Sequence, residues 1–274
     1  MNSMADIKEY WDVRAKTAPA GSRTTNDIFL RKLEASVIGA ELGAGQFSAE
    51  AAVLDVGCGD GQTLLTLAVQ FPALRFHGID FSQEMISSAR DALSTQPESV
   101  RQRVSFALGD VRNLDAELGD RKFAAILSNR CLINLTSTNE QYGALRQIAG
   151  RLAPEGLYLG TENFIGGQNE LNRLRNTMKL PEIAVRWHNL FFEEDEFMAK
   201  APKIFQNVEL IKFSSAYYYV TRVVYSSLCR LQGQQPDYEH PIHEVAMQLP
   251  PFGDFSPIKL IRARAWIEAD RASI

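Results

Sequence analysis

Val53-Leu54-Asp55-Val56-Gly57-Cys58-Gly59-Asp60-Gly61-Gln62 is the stretch that decides the fold. An apolar-rich run reads as a buried strand, and it enters a turn dense in glycine. After the turn, Gln62–Gln70 has the composition of a helix. Glycines in such a turn permit positive φ and close approach of a ligand to the backbone. A dinucleotide fingerprint needs glycine at the first, third and sixth positions. Here the sixth position is Gln62 and the third glycine comes one residue early, at Gly61. The spacing argues against a dinucleotide site.

Outward from this turn, strand and helix alternate, which predicts a parallel sheet with right-handed crossovers. Expected strands are Ala52–Val56, Arg75–Ile79, Val104–Leu108, Ala124–Ser128 and Leu157–Thr161. Expected helices are Gln62–Gln70, Gln83–Leu93 and Asn139–Arg151, with Pro154-Glu155-Gly156 as the turn into the fifth strand. Upstream, residues 6–45 read as helices, with Asn26 or Asp27 as a cap. After Glu162 the alternation breaks down into helical pieces, including Asn169–Met178. The acidic cluster at Glu193-Glu194-Asp195 reads as a helix start rather than a metal site. Val208–Phe213 and Lys259–Trp266 read as two more strands. The roughly 40 residues between them are too long for a hairpin loop and suggest an insertion over the site. That insertion is rich in aromatics and prolines, including Tyr217-Tyr218-Tyr219 and Pro250-Pro251.

Asp55-x-Gly57-x-Gly59-x-Gly61 resembles motif I of the class I S-adenosylmethionine (SAM)-dependent methyltransferases, of the bacterial small-molecule type. The opening Tyr10-Trp11-Asp12-Val13-Arg14-Ala15 and Gly21-Ser22-Arg23-Thr24-Thr25-Asn26-Asp27 resemble the helical cap of such enzymes. The resemblance implies an α/β fold with a seven-stranded, mostly parallel, doubly wound sheet. It implies one domain over residues 1–274: a cap (1–48), a cofactor-binding core (49–165) and lid insertions (166–206 and 214–256). The implied cofactor is SAM, with no metal, and the product is S-adenosylhomocysteine.

The resemblance and the strand ends together nominate the cofactor residues. Asp80 ends the second strand about 20 residues after the turn, where a carboxylate accepts ribose hydroxyls. Phe81 and Met85 are expected to line the adenine. Asp110 is a candidate acceptor for the adenine amino group, beside the Val111 amide. Ser128, Asn129 and Arg130 end the fourth strand under the methionine moiety. Asp55, Gly57, Cys58, Gly59 and Gly61 supply the turn. Tyr10 and Arg14 are candidates to meet the carboxylate or sulfonium, the aromatic ring through a cation–π contact; ordinary helix packing is the alternative for Tyr10 and Trp11.

The acceptor side carries no single motif. The segment Ser128-Asn129-Arg130-Cys131-Leu132-Ile133-Asn134 lacks the (Asp/Asn)-Pro-Pro-(Tyr/Phe) pattern of enzymes that methylate amino groups of bases, so a flipped base is not the expected substrate. Candidate catalytic residues are His188 as base, Glu162 to hold an amine or orient SAM, and Arg130 to bind a carboxylate of SAM or of an acceptor. Each has a structural alternative: a satisfied histidine, a surface helix cap and an ion pair. Asn134, Asn163, Trp187 and Tyr218 are candidates for the substrate wall, with Tyr142 and Tyr225 weaker.

Bulk properties set the remaining bounds. The 274 residues carry 45% hydrophobic and 23% charged side chains, with a net charge of −4. That balance gives no electrostatic case for nucleic acid or anionic membrane as a partner. Three scattered cysteines form neither a zinc pattern nor a disulfide framework, consistent with a reducing, cytoplasmic setting. No apolar run reaches the roughly 18 residues of a membrane span, and residues 1–10 lack a signal-peptide core. The expected partner is a small-molecule substrate, in a monomer or homodimer, with a role in biosynthesis such as secondary metabolism. The leading activity is methyl transfer to a metabolite. The alternative is aminocarboxypropyl transfer, or cyclisation of SAM to azetidine-2-carboxylate with release of methylthioadenosine. A non-catalytic SAM-binding subunit is a third possibility.

Overall fold

Val53, Leu54 and Val56 are fully buried because strand β1 (Ala52–Val56) lies inside a sheet covered on both faces. Alternate residues point to opposite faces. Leu54 and Val56 pack with Ile126, Leu145 and Ile148, whereas Val53 packs with Leu127, Ile38 and Leu64. This two-sided burial explains why the strand reads as a continuous apolar run. A computed structural model of the chain describes residues 3–266.

The sheet has seven strands in the order β3-β2-β1-β4-β5-β7-β6. The others are β2 (Arg75–Asp80), β3 (Val104–Leu108), β4 (Phe123–Asn129), β5 (Leu152–Asn163), β6 (Gln206–Ile211) and β7 (Ile258–Arg264). The first five run parallel, and β7 pairs antiparallel with both β5 and β6. Strand order reverses between β1 and β4, which opens a crevice at the carboxyl ends of those strands.

Helix caps explain several boundaries. In α1 (Met4–Thr17), Ser3 and Asp6 form a capping box. Asp27 caps α2 (Ile28–Ala44) by accepting from the Leu30 N–H. α3 (Gln62–Gln70) starts straight from the glycine turn, and Ser82 caps α4 (Gln83–Ser94). Two short helices follow, α5 (Glu98–Arg101) and α6 (Leu114–Leu118), then α7 (Thr138–Arg151), α8 (Ile165–Thr177) and α9 (Glu194–Lys200). Glu193 caps α9, as the acidic cluster predicts. The segment between β6 and β7 folds as α10 (Ser215–Tyr218), a π-helix (Tyr219–Tyr225), α11 (Ser226–Leu231) and α12 (Ile242–Met247).

Three boundary expectations are corrected. Pro154-Glu155-Gly156 does not precede β5 but lies inside it. Glu155 takes φ 57°, and pairing with β4 shifts register between Phe123 and Ala125. α8 starts at Ile165 rather than Asn169, because β5 passes into it through Phe164 alone. β6 and β7 both end two residues earlier than expected. Among the described residues, no helix is long and apolar enough to cross a membrane.

Candidate functional site

The crevice between β1 and β4 opens into a cavity of about 260 Å³. Gly57, Gly59, Asp80, Phe81 and Met85 line one side. Gly57 and Gly59 have φ of 69° and 54°, a region that disfavours side chains. A Cβ at Gly57 would run into Cys131 Sγ, and one at Gly59 into Thr24 Cγ2. The turn is therefore gripped between the loop after β4 and the segment before α2.

Asp80 holds the same turn in place. Its Oδ2 accepts from the Gly59 N–H and its Oδ1 from the Ser82 N–H, each at 2.9 Å. Burial nevertheless raises its pKa to about 6, outweighing those two N–H groups. Asp55 lies beneath the turn and does not line the cavity. Burial, with the nearby Asp80 charge, raises it to about 8.

The other expected cofactor residues divide. Asn129 reaches the cavity while its Oδ1 accepts from the Thr161 hydroxyl at 2.9 Å. Cys58 and Gly61 form the turn's inner side, and Gly61 sits at the N-cap of α3. Asp110 does not line the cavity; Arg112 clamps its carboxylate through Nε and Nη2, the latter at 2.6 Å. Val111 is packed into the core beside Leu114. Ser128 is fully buried, bonded to Tyr158 Oη and Glu162. Arg14 is occupied elsewhere, donating to the carbonyls of Ser22 and Arg23 and to Asn26 Oδ1. It shapes the cap loop and does not line the cavity. Tyr10 stacks on His188, with ring centroids 4.4 Å apart.

Glu162 requires a correction. It is fully buried and accepts from the Ser128 hydroxyl and from the N–H groups of Cys131, Leu132 and Ile133. It shapes the turn after β4, does not line the cavity, and is no partner for an amine. Burial raises it to about 7 despite these donors. Arg130 lines the cavity but is paired with Glu34, Nε to Oε1 at 3.0 Å, so its structural alternative holds. Its backbone sits at φ 52°, with its N–H on Thr161 O at 2.8 Å.

His188 and Asn163 differ from these. Both line the cavity, and both are more than nine-tenths buried. Among the described residues, His188 Nδ1 and Asn163 Oδ1 have no hydrogen-bond partner. Burial, helped by the Arg186 and Arg14 charges, lowers His188 to about 4, so its ring is neutral near pH 7. Buried polar atoms left unpaired by their own chain are costly, and both residues line the cavity. Asn134 ties the cap to this wall, with Trp11 Nε1 donating to its Oδ1 at 3.1 Å. Trp187 packs edge-on against Tyr10 and His188 and is half exposed, outside the lining; Tyr218 is part of it.

Sequence reading missed Gln168 and Arg222, which also line the cavity, and saw Asp27 only as a cap. Arg222 lies in the π-helix and pairs with Asp27, whose other oxygen accepts from Tyr217 Oη at 2.6 Å. A charge inside the tyrosine-rich run was the available signal.

Residues 53–156 match a family described as a methyltransferase domain. The chain is 28% identical over 119 residues to the malonyl-(acyl-carrier protein) O-methyltransferase of Priestia megaterium, covering 43% of this chain and 39% of that one. The chain spans less than two thirds of the length of each curated relative it matches. In fold, the likeness extends beyond the domain. Magnesium protoporphyrin IX methyltransferase from Synechocystis PCC 6803 superposes with a TM-score of 0.59 at 12% identity, covering 96% of this chain and 100% of that one. The CcbJ methyltransferase from Streptomyces caelestis gives 0.59 at 15% identity, covering 95% and 98%. The seven-stranded sheet thus has the class I methyltransferase fold.

Proposed function

We propose that this protein transfers a methyl group from SAM to a small-molecule metabolite. The observation that carries the reading is the cavity itself. It joins the glycine turn and Asp80 to a polar and aromatic wall, and at about 260 Å³ it suits small ligands rather than a macromolecule. Asp80, Phe81 and Met85 would hold the nucleoside, and Asn129 the methionine end. SAM supplies a methyl group made electrophilic by the sulfonium. The chain's part is to orient the nucleophile, exclude water and take up a proton. His188, neutral and with an unpartnered Nδ1, is the candidate proton acceptor, and Asn163 the candidate orienting group. The malonyl-(acyl-carrier protein) relative, an O-methyltransferase, supports an oxygen nucleophile.

A second reading uses the same site without methyl transfer: aminocarboxypropyl transfer, or cyclisation of SAM to azetidine-2-carboxylate. The polar side chains Asn129, Arg130 and His188, which all line the cavity, support it. The structural likeness to the [4+2]-cyclase SpnF, a TM-score of 0.56 at 20% identity, supports only the fold.

One incubation separates them. The protein is mixed with SAM and a metabolite extract and the products are weighed by mass spectrometry. S-adenosylhomocysteine with a product heavier by one methylene unit is the expected result. Methylthioadenosine formed without an acceptor would replace the first reading by the second. Bound SAM with no turnover would remove both and leave a binding subunit.

A further inference from the structure

Arg222 has a setting that folding alone does not explain. It is a partly buried arginine on the π-helix, in an insertion outside residues 53–156, yet it lines the cavity. A π-helix within a helical segment often marks a functional position. Its Nη2 pairs with Asp27 Oδ2. Its guanidinium lies 4.9 Å from the Tyr238 ring centroid, 5.5 Å from Tyr218 and 5.9 Å from Tyr217. Behind it, Arg175 donates to the Arg222 carbonyl and to Pro181 O, locking the π-helix to the loop that carries His188. Tyr217 Oη bonds Asp27 and also His243 Nδ1 at 2.7 Å, so the Asp27 carboxylate is itself fixed.

Nη2 of the guanidinium is therefore engaged and its plane is held. Among the described residues, its Nε and Nη1 have no hydrogen-bond partner within the chain. Both bidentate edges of a guanidinium include Nη2, so the unpaired Nε and Nη1 of this cavity-lining residue can each donate a single charge-assisted hydrogen bond to a carboxylate. Asp27 already offsets much of its charge, which favours a singly charged carboxylate over a phosphate dianion. Arg186 also lines the cavity, is exposed, and makes no ion pair among the described residues.

We propose that Arg222 is a carboxylate-binding residue of this cavity, donating to a ligand carboxylate from its unpaired Nε or Nη1 while Asp27 and the three tyrosine rings fix its plane, with Arg186 as a second cation. The inference rests on the reading of the cavity as the transferase site. The carboxylate has two possible sources, SAM or the acceptor.

Calorimetry separates the sources. In one arm, S-adenosylhomocysteine and its decarboxylated analogue are titrated into wild type and R222K. In the other, protein saturated with S-adenosylhomocysteine is titrated with malonate, glutarate or inorganic phosphate. If the carboxylate is SAM's, wild type prefers S-adenosylhomocysteine over the analogue by about tenfold or more, and R222K loses that preference. If it is the acceptor's, malonate or glutarate binds wild type, R222K loses that binding by about tenfold or more, and S-adenosylhomocysteine affinity is unchanged. Either pattern supports the proposal. No effect of R222K in either arm, or tighter binding of phosphate than of both carboxylates, overturns it. R186Q and Y238L, at exposed positions, are expected to weaken the same carboxylate about two- to fivefold, and they decide the matter if R222K does not fold. Failure of wild type to bind S-adenosylhomocysteine at all would instead overturn the transferase reading.

Discussion

The Gly59 N–H donates to Asp80 Oδ2 at 2.9 Å, so the turn after β1 is latched to the end of β2. The carboxylate thus has two tasks, shaping the turn and facing the cavity. Asp80→Asn keeps the size but replaces one acceptor oxygen with a donor, leaving either Gly59 or Ser82 unpaired. Stability is expected to fall by about 1–3 kcal/mol in urea titration. SAM affinity should fall about tenfold or more in calorimetry, and Asp80→Ala should abolish it. Unchanged affinity in Asp80→Ala would remove the nucleoside from this side of the cavity.

Asp55 makes stability depend on pH. Its folded value, about 8, lies above its ordinary 3.8 because of burial and the neighbouring Asp80. Between those values the native state holds a proton that the unfolded chain has released, so stability falls as pH rises through that window. Asp80, raised to about 6, adds to the slope below that pH. Urea midpoints measured from pH 5 to pH 8 should decline. Asp55→Asn should flatten the decline and be at least as stable as wild type at pH 8; an unaltered slope would contradict the assignment.

His188→Phe preserves a ring against Tyr10 and removes both nitrogens. If His188 accepts the proton, kcat should drop by about 10²-fold or more while the SAM dissociation constant stays within about threefold. Because His188 is held down at about 4, the wild-type rate profile should show no limb near pH 6.5. A limb there that disappears in His188→Phe would show that the ring is less buried in solution.

Glu162→Ala tests the corrected role. Three backbone N–H groups after β4 would lose their acceptor. The expected result is a loss of about 3 kcal/mol or more, seen as a lowered melting temperature. A variant of wild-type stability with selectively reduced turnover would return Glu162 to the chemistry.

The core was legible because its signals are local. β1, β3 and α3 begin and end where periodicity and the glycine turn place them. Asp80, Gly57 and Gly59 were legible as cavity residues because they sit at strand ends in a fixed architecture. Asp110 and Ser128 also sit near strand ends, yet Arg112 takes one and Tyr158 with Glu162 the other. Strand position locates a side chain's start but not the partner that claims its polar atoms.

The sequence by itself determined the alternating α/β core, the turn that excludes a dinucleotide fingerprint, a cap at Asn26 or Asp27, and a helix start at the acidic cluster from Glu193. Each depends on backbone preferences within a few residues. Only the tertiary structure decided that Arg130 belongs to Glu34, 96 residues away, and Arg222 to Asp27, 195 residues away. It also decided that His188 and Asn163, which line the cavity, each keep a buried unpaired atom. Such pairings follow from which surfaces pack together, and a buried charge takes the opposite charge that packing brings within reach, however distant in the chain.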